Sequence, residues 1–403
     1  MARCSVSART SRVAGREGGT MDHRTEPVVS ADGHIDLPLL PHDLFDRFAP
    51  AGLRARMPRV IERDGGQFWV DENGGQLAFV GGSGNSGQPY ARGQSTRFDR
   101  MNESGFWDDC AKGHFHPTDP ALRIAAQNRD GIVGEVLYGV LGVANAIDDQ
   151  DVSAAVMQSY NAWLAEFCSY DPTRLVGVAC LPSKNPAAAA DEIRRCAARG
   201  LRAVEVAMTY DLLPLWRQEF TPIWEAADEC GAIVHLHTIG PPIDPRHATT
   251  DRERAAWVGG WLTVFQLRMV ERVAELIFGG VLHKYENLRV VVGESGIGWL
   301  PYVLERMDDQ WSQRFTHLEL TMPPSGYWQR QMSATFQVDE AGLLLADRIG
   351  VHTLMWGNDF PHGDGVWPDS RAVIDKQFAA IPDATRRAIT YDNAARLYGF
   401  PIR

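Results

Sequence analysis

VVSADGH, residues 28–34, is the stretch on which the reading of the fold turns. It is a short apolar run that closes on an aspartate and a histidine two positions apart, Asp32 and His34. On an extended chain, residues two apart face the same side, so one divalent ion could touch both. Two later runs close in the same manner. GAIVHLHTIG (231–240) carries His237 near its end, and VHTLMWGNDFPH (351–362) carries Asp359. A barrel of parallel strands brings such distant positions together, because its sites assemble at the C-terminal ends of several strands.

Working outward, strand and helix signals alternate from residue 28 to the end. Strand signals follow at GEVLYGV (134–140), LVGVACL (175–181), AVEVAM (203–208), LRVVVGESG (288–296) and ATFQV (334–338). With the three runs above these make eight, and the pattern predicts an α/β chain folded as a (β/α)8 TIM barrel. ATFQV is the briefest of the eight signals. A doubly wound open sheet is the rival, but ADGHIDLP after the first strand carries no G-x-G-x-x-G turn. The barrel spans 28–403, with a long insertion after the first strand at 50–115. Within it, QFWV and QLAFV are brief apolar runs bounded by turn formers and predict a small hairpin. An insertion in that position is expected to act as a lid or pocket wall. The last stretch, DATRRAITYDNAARLYGF (383–400), is expected to be a helix on the outside of the barrel.

Composition narrows the function classes. The 403 residues are 44% hydrophobic and 23% charged, with a formal net charge of -11. That charge, and the lack of any basic stripe, argue against a nucleic-acid partner. No apolar run is long enough for a membrane span. Six cysteines show no C-x-x-C pair and read as buried thiols of a reducing compartment, so a cytoplasmic location is expected. Residues 1–27 read as a disordered N-terminal extension, with sequence upstream of a true start at Met21.

Each candidate ligand has a plainer reading. Asp32 could cap a turn, His34 could be a packed core histidine, and Asp359 could cap a helix. His235 lies on the same side of its strand as His237 but deeper. Two aspartates and two histidines at strand ends together favour a metal site at Asp32, His34, His237 and Asp359. Mixed nitrogen and oxygen ligands suit Zn²⁺ first and Mn²⁺ second. Such an ion acidifies water and polarises a carbonyl. Asp359 and Glu294 are the candidate acid/base pair, and two carboxylates near one substrate could divide the roles. His362, three residues beyond Asp359, could reach substrate or hold its loop. Tyr138, Trp69, Trp107 and Trp299 are candidates to line the pocket. Arg123 and Asp130 read as a structural ion pair. Glu205 is a strand carboxylate that needs a partner if buried.

These motifs resemble the amidohydrolase superfamily, in the branch that contains aminocarboxymuconate-semialdehyde decarboxylase and the resorcylate-type decarboxylases. The resemblance covers nearly all of residues 28–400. It places Asp32-Gly33-His34 at the opening pair, His237 after the fifth strand and Asp359 after the eighth. ENLRVVVGESGIGWLPYVLERMD resembles the sixth strand and its helix. There the family's histidine is matched by Glu294, which puts its decarboxylase mechanism in doubt. The resemblance also implies a small-molecule substrate and a homodimer. The sequence therefore puts first a metal-dependent hydrolase acting on an amide, ester, lactone or activated carbon–carbon bond. Second comes non-oxidative decarboxylation of an aromatic or enol carboxylate, with Asp359 protonating the ring carbon. A barrel that only binds a ligand comes third.

Overall fold

The computed structural model describes residues 26–82, 89–93, 95–140, 146–208, 212–238 and 249–402. All but two residues of the expected N-terminal extension lie outside them. Eight parallel strands form one sheet in the order β1 (Val29–His34), β5 (Gly134–Tyr138), β6 (Leu175–Leu181), β7 (Ala203–Val206), β8 (Ile233–His237), β9 (Arg289–Gly293), β10 (Met332–Phe336) and β11 (Leu354–Trp356). A parallel bridge from Gly33 to Phe360 brings the first strand to the chain beyond the last and closes the barrel. The closing bonds are His34 N to Phe360 O (2.7 Å) and Asp359 N to Asp32 O (2.8 Å). The residues that seal the barrel are thus the candidate ligands or their neighbours.

Helices between the strands start and stop where side chains satisfy free backbone groups. Asp119 caps Pro120–Asp130 and Asn185 caps Pro186–Ala197, while Gly131 and Gly231 end their helices in the left-handed conformation. Inside the barrel, Val29, Val136, Val178, Ala203, Ile233, Val291 and Met355 pack into one apolar plug. Tyr391, Ala394, Ala395 and Phe400 belong to the same plug. The C-terminal helix therefore closes the barrel floor and does not lie on the outside as expected. Its paired alanines allow the close approach.

The insertion holds β2 (Arg59–Arg63), β3 (Gly66–Val70) and β4 (Gln76–Phe79), an antiparallel sheet in that order. The expected hairpin is β3–β4, and β2 adds a third strand. Helices Thr96–Glu103 and Phe106–Ala111 follow. Phe106 meets Phe360 and Trp367 with ring centres 5.6 and 5.8 Å apart, and Arg97 Nη1 donates to Val366 O at 2.9 Å. Much of the insertion buttresses the loop after β11. Among the described residues no helix is long and apolar enough to cross a membrane.

Candidate metal centre and active site

The site starts from β1, whose pairing with β5 shifts register between Ser30 and Gly33. Gly33 is required there: a Cβ would stand 2.4 Å from Glu135 Oε1 and 2.8 Å from Arg123 Nη2. Those two side chains form a buried bidentate pair at 2.6 and 2.8 Å, and Arg123 Nη1 also donates to His34 O at 2.8 Å. Arg123 thus braces the strand end from behind. It does not pair with Asp130, as the sequence had suggested. Asp130 instead accepts from Ser370 and from Asn358 Nδ2, the latter at 3.1 Å.

At the C-terminal mouth of the barrel the four candidate ligands converge. His34 Nε2 lies 3.3 Å from Asp32 Oδ1 and 3.0 Å from Asp359 Oδ1, and His237 Nε2 lies 3.5 Å from Asp32 Oδ1. Asp32 Oδ1, His34 Nε2, His237 Nε2 and both oxygens of Asp359 are buried without a hydrogen bond of good geometry. Buried polar atoms seldom stay unpartnered, because each costs its lost hydration. Ligand atoms of Asp32, His34 and His237 lie within 4.8 Å of one another and fit one divalent ion, and Asp359 adjoins the group through His34. The remaining atoms of the ligands are anchored. Asp32 Oδ2 accepts from Glu294 N at 3.0 Å and Thr335 Oγ1 at 2.8 Å, and His237 Nδ1 donates to Thr238 O at 2.8 Å. That bond leaves Nε2 of His237 as the unprotonated donor.

Glu294 and Asp359 both follow a strand in the left-handed region, with φ of 47° and 54°. Such backbone is disfavoured for residues with a Cβ and persists where the surroundings enforce it, commonly at functional sites. The turn aims Glu294 into the cluster, where its Oε2 lies 3.7 Å from His237 Nε2 and accepts from Thr238 Oγ1 at 3.2 Å.

Electrostatics divide the carboxylates. Burial alone would raise Asp32 and Asp359, but the facing imidazoles win and hold both below the usual range: His237 and His34 for Asp32, His362 and His34 for Asp359. Glu294 goes the other way. Burial, reinforced by the charges of Asp359, Asp364 and Asp32, pushes it well above its ordinary value. Burial and the neighbouring His362 push His34 down, but Asp32 and Asp359 outweigh them and raise it to about 9.

Of the other sequence candidates, His362 and Tyr138 join the cluster. His362 Nδ1 lies 3.1 Å from Asp359 Oδ1, and its ring stacks on His34 with centroids 4.0 Å apart. Tyr138 stacks on His34 at 5.6 Å and forms the floor, its hydroxyl 2.7 Å from His235 Nδ1. His235 Nε2 meets Tyr398 Oη at 3.3 Å, and burial depresses this ring to about 3. His235 is therefore a neutral core histidine. Trp299 sits on the turn after Glu294, bonded to Ser295 O at 2.8 Å. Trp69 packs between His42 and Phe45, and Trp107 against Tyr90 and Phe106. Trp107 lines a cavity of about 1250 Å³ between the insertion and helix Gln150–Cys168, and none of the four candidate ligands lines it. Glu205 is buried in β7 with Oε2 unpartnered, and burial raises it to about 7. Sequence reasoning missed Asp36, which bonds His362 Nε2 at 2.9 Å. Alternation had carried the signal: Asp32, His34 and Asp36 stand at every second position.

Comparison with known proteins followed the same lines. A family model for amidohydrolases matches residues 109–400. A 2-amino-3-carboxymuconate-6-semialdehyde decarboxylase from Dictyostelium discoideum is 25% identical over 289 residues, covering 70% of this chain and 77% of its own. An amidohydrolase from Mycobacterium avium subsp. paratuberculosis K-10 superposes with a TM-score of 0.69 at 20% identity, over 93% of this chain and all of its own (100%). A dihydroxybenzoic acid decarboxylase from Polaromonas sp. JS666, solved with manganese and 2-nitroresorcinol, superposes with a TM-score of 0.59 at 21% identity, over 74% and 92%. At these identities the two structures testify to the fold.

Proposed function

The chain belongs to the amidohydrolase family, and from that premise we propose that it is a metal-dependent, non-oxidative decarboxylase of a hydroxylated aromatic or enol carboxylate. This reverses the order given by the sequence, which put hydrolysis first. The relatives pull that way, since the Dictyostelium protein and the Polaromonas structure are both named as decarboxylases. Manganese in the latter makes Mn²⁺ the first ion to try, with Zn²⁺ second.

The observation that carries the reading is the state of Glu294. Hydrolysis needs a base to take a proton from water, whereas decarboxylation needs an acid to supply one to the carbon that loses CO₂. Glu294 is buried, and burial together with the charges of Asp359, Asp364 and Asp32 pushes its carboxyl well above its ordinary value, which favours the proton-bearing form. The charge of an ion would offset the repulsion from Asp32 and Asp359, but burial, the largest cause, would remain. A divalent ion held by Asp32, His34, His237 and Asp359 would supply Lewis acidity to a chelating carboxylate and its neighbouring hydroxyl. Asp359, held below the usual carboxylate range, would carry to the ring carbon a proton handed to it, and Glu294, pushed the other way, is the group that would supply that proton. Tyr138, buried and stacked on His34, provides the floor. The overall reaction balances as ArCO₂⁻ + H⁺ → ArH + CO₂.

A substrate panel separates the readings. Manganese-loaded protein is offered 2,6-dihydroxybenzoate and other ortho-hydroxylated aromatic acids beside a matched set of amides, esters and lactones. The expected result is CO₂ from at least one acid and none of the hydrolytic products. Hydrolysis without CO₂ release would reverse the order again.

A further inference from the structure

We propose that Asp36 is a positioning residue of this active site, acting through His362 to fix the carboxylate of Asp359. The inference rests on the reading of Asp359 as proton carrier given above. The chain stays extended past the end of β1, with Asp36 at φ -97° and ψ 154°. Alternation therefore puts Asp36 on the same side as Asp32 and His34. Its carboxylate is buried and accepts from His362 Nε2 at 2.9 Å.

The consequence is geometric. With Nε2 engaged, the ring of His362 can present only Nδ1 to Asp359, and it does so 3.1 Å from Oδ1. Parallel stacking on His34, with rings 27° from coplanar, fixes the tilt of the imidazole. Oδ1 of Asp359 is thereby flanked by His34 Nε2 and His362 Nδ1, and Oδ2 is left with no partner. The side chain of His362 is 14% exposed while that of Asp359 is fully buried (0%), and Asp36, at the nitrogen away from Asp359, and the stack on His34 hold this ring. Two segments that meet only at the barrel seam, the turn after β1 and the loop after β11, are locked through one imidazole. Asp36 is not one of the four proposed ligands, and its hydrogen bond goes to His362. Its effect should appear in turnover more than in binding.

The test compares Asp36→Ala with Asp36→Asn, which keeps an acceptor oxygen in the same place. With the substrate that the panel selects, Asp36→Ala should lose about tenfold or more in kcat, with KM within about threefold and Asp36→Asn recovering most of the loss. Metal content and Tm should stay near wild type. The second readout needs no substrate. Ring-nitrogen NMR of zinc-loaded protein, assigned by the signal absent from His362→Gln, should show an exchange-protected Nε2–H in wild type and Asp36→Asn. That signal should vanish in Asp36→Ala, or in Asp36→Ser if the alanine chain does not fold. Unchanged kcat in Asp36→Ala, a loss tracking metal content or Tm, or persistence of the Nε2–H signal would overturn the proposal. Should no acid be decarboxylated, the functional reading fails while the NMR result still decides the positioning role.

Discussion

At the residue scale, the proposed metal site makes His34 couple protons to metal. Its metal-free value is raised to about 9 by Asp32 and Asp359, which outweigh burial and His362. Ion and proton compete for Nε2, so below about pH 9 each ion bound should release a proton. Calorimetry in buffers of different ionisation enthalpy should report about one proton released at pH 7.5, with affinity rising toward pH 9 and levelling beyond it. The same shift sets metal-free stability. A raised histidine value stabilises the fold fully below its unfolded value near 6.5, and that contribution is lost as pH rises through about 9. Tm of the metal-free protein should therefore fall over that window. Glu294→Gln keeps the shape but carries no transferable proton, and it should cost about 10²-fold or more in kcat. A variant within a factor of three of wild type would remove Glu294 from the chemistry. That the candidate ligands sit at strand ends was legible from their spacing. Asp36 went unread although alternation places it with Asp32 and His34, because it follows the predicted strand and its partner His362 is 326 positions away.

At the element scale, the eight strands were legible even where the signal was thin. The first three residues of ATFQV fall in β10, and its Thr335 ties Asp32 Oδ2 at 2.8 Å. Thr335→Val removes that tie in a nearly isosteric way. It should weaken metal binding by about tenfold or more, as loss of an outer hydrogen bond to a ligand does, and a titration with Mn²⁺ would measure it. Gly33→Ala should be more disruptive, because its methyl would drive into the buried Arg123–Glu135 pair. Breaking such a pair costs about 3–5 kcal/mol, so denaturant unfolding should show a clear loss of stability, and full stability would contradict this account of the strand end. β2 escaped sequence reasoning because RVIER is exposed or half-exposed along its length and lacks a buried alternating face. The C-terminal helix was misplaced because an apolar face does not say which apolar surface it covers.

At the scale of the whole molecule, the fold followed from hydrophobic periodicity, while the reaction did not. Periodicity is a property of sequence, but the raised pKa of Glu294 depends on burial and on the charges of Asp32 from one end of the chain and Asp359 and Asp364 from the other. The decarboxylase reading proposed here therefore leans on groups that only the fold brings together, and on the named relatives. The barrel seam is made by the same segments that carry Asp32, His34 and Asp359, so ion binding and closure should be coupled. A ligand at 100 times its dissociation constant stabilises by about 2.7 kcal/mol, and loading with Mn²⁺ should raise Tm measurably, with chelator reversing it. The most direct measurement is an anomalous difference map from crystals of the Mn²⁺-loaded protein, collected at the manganese edge. This account predicts one strong peak about 2.1 Å from Asp32, His34, His237 and Asp359, with Glu294 facing it unligated. A peak elsewhere, or none at saturating Mn²⁺, would contradict it.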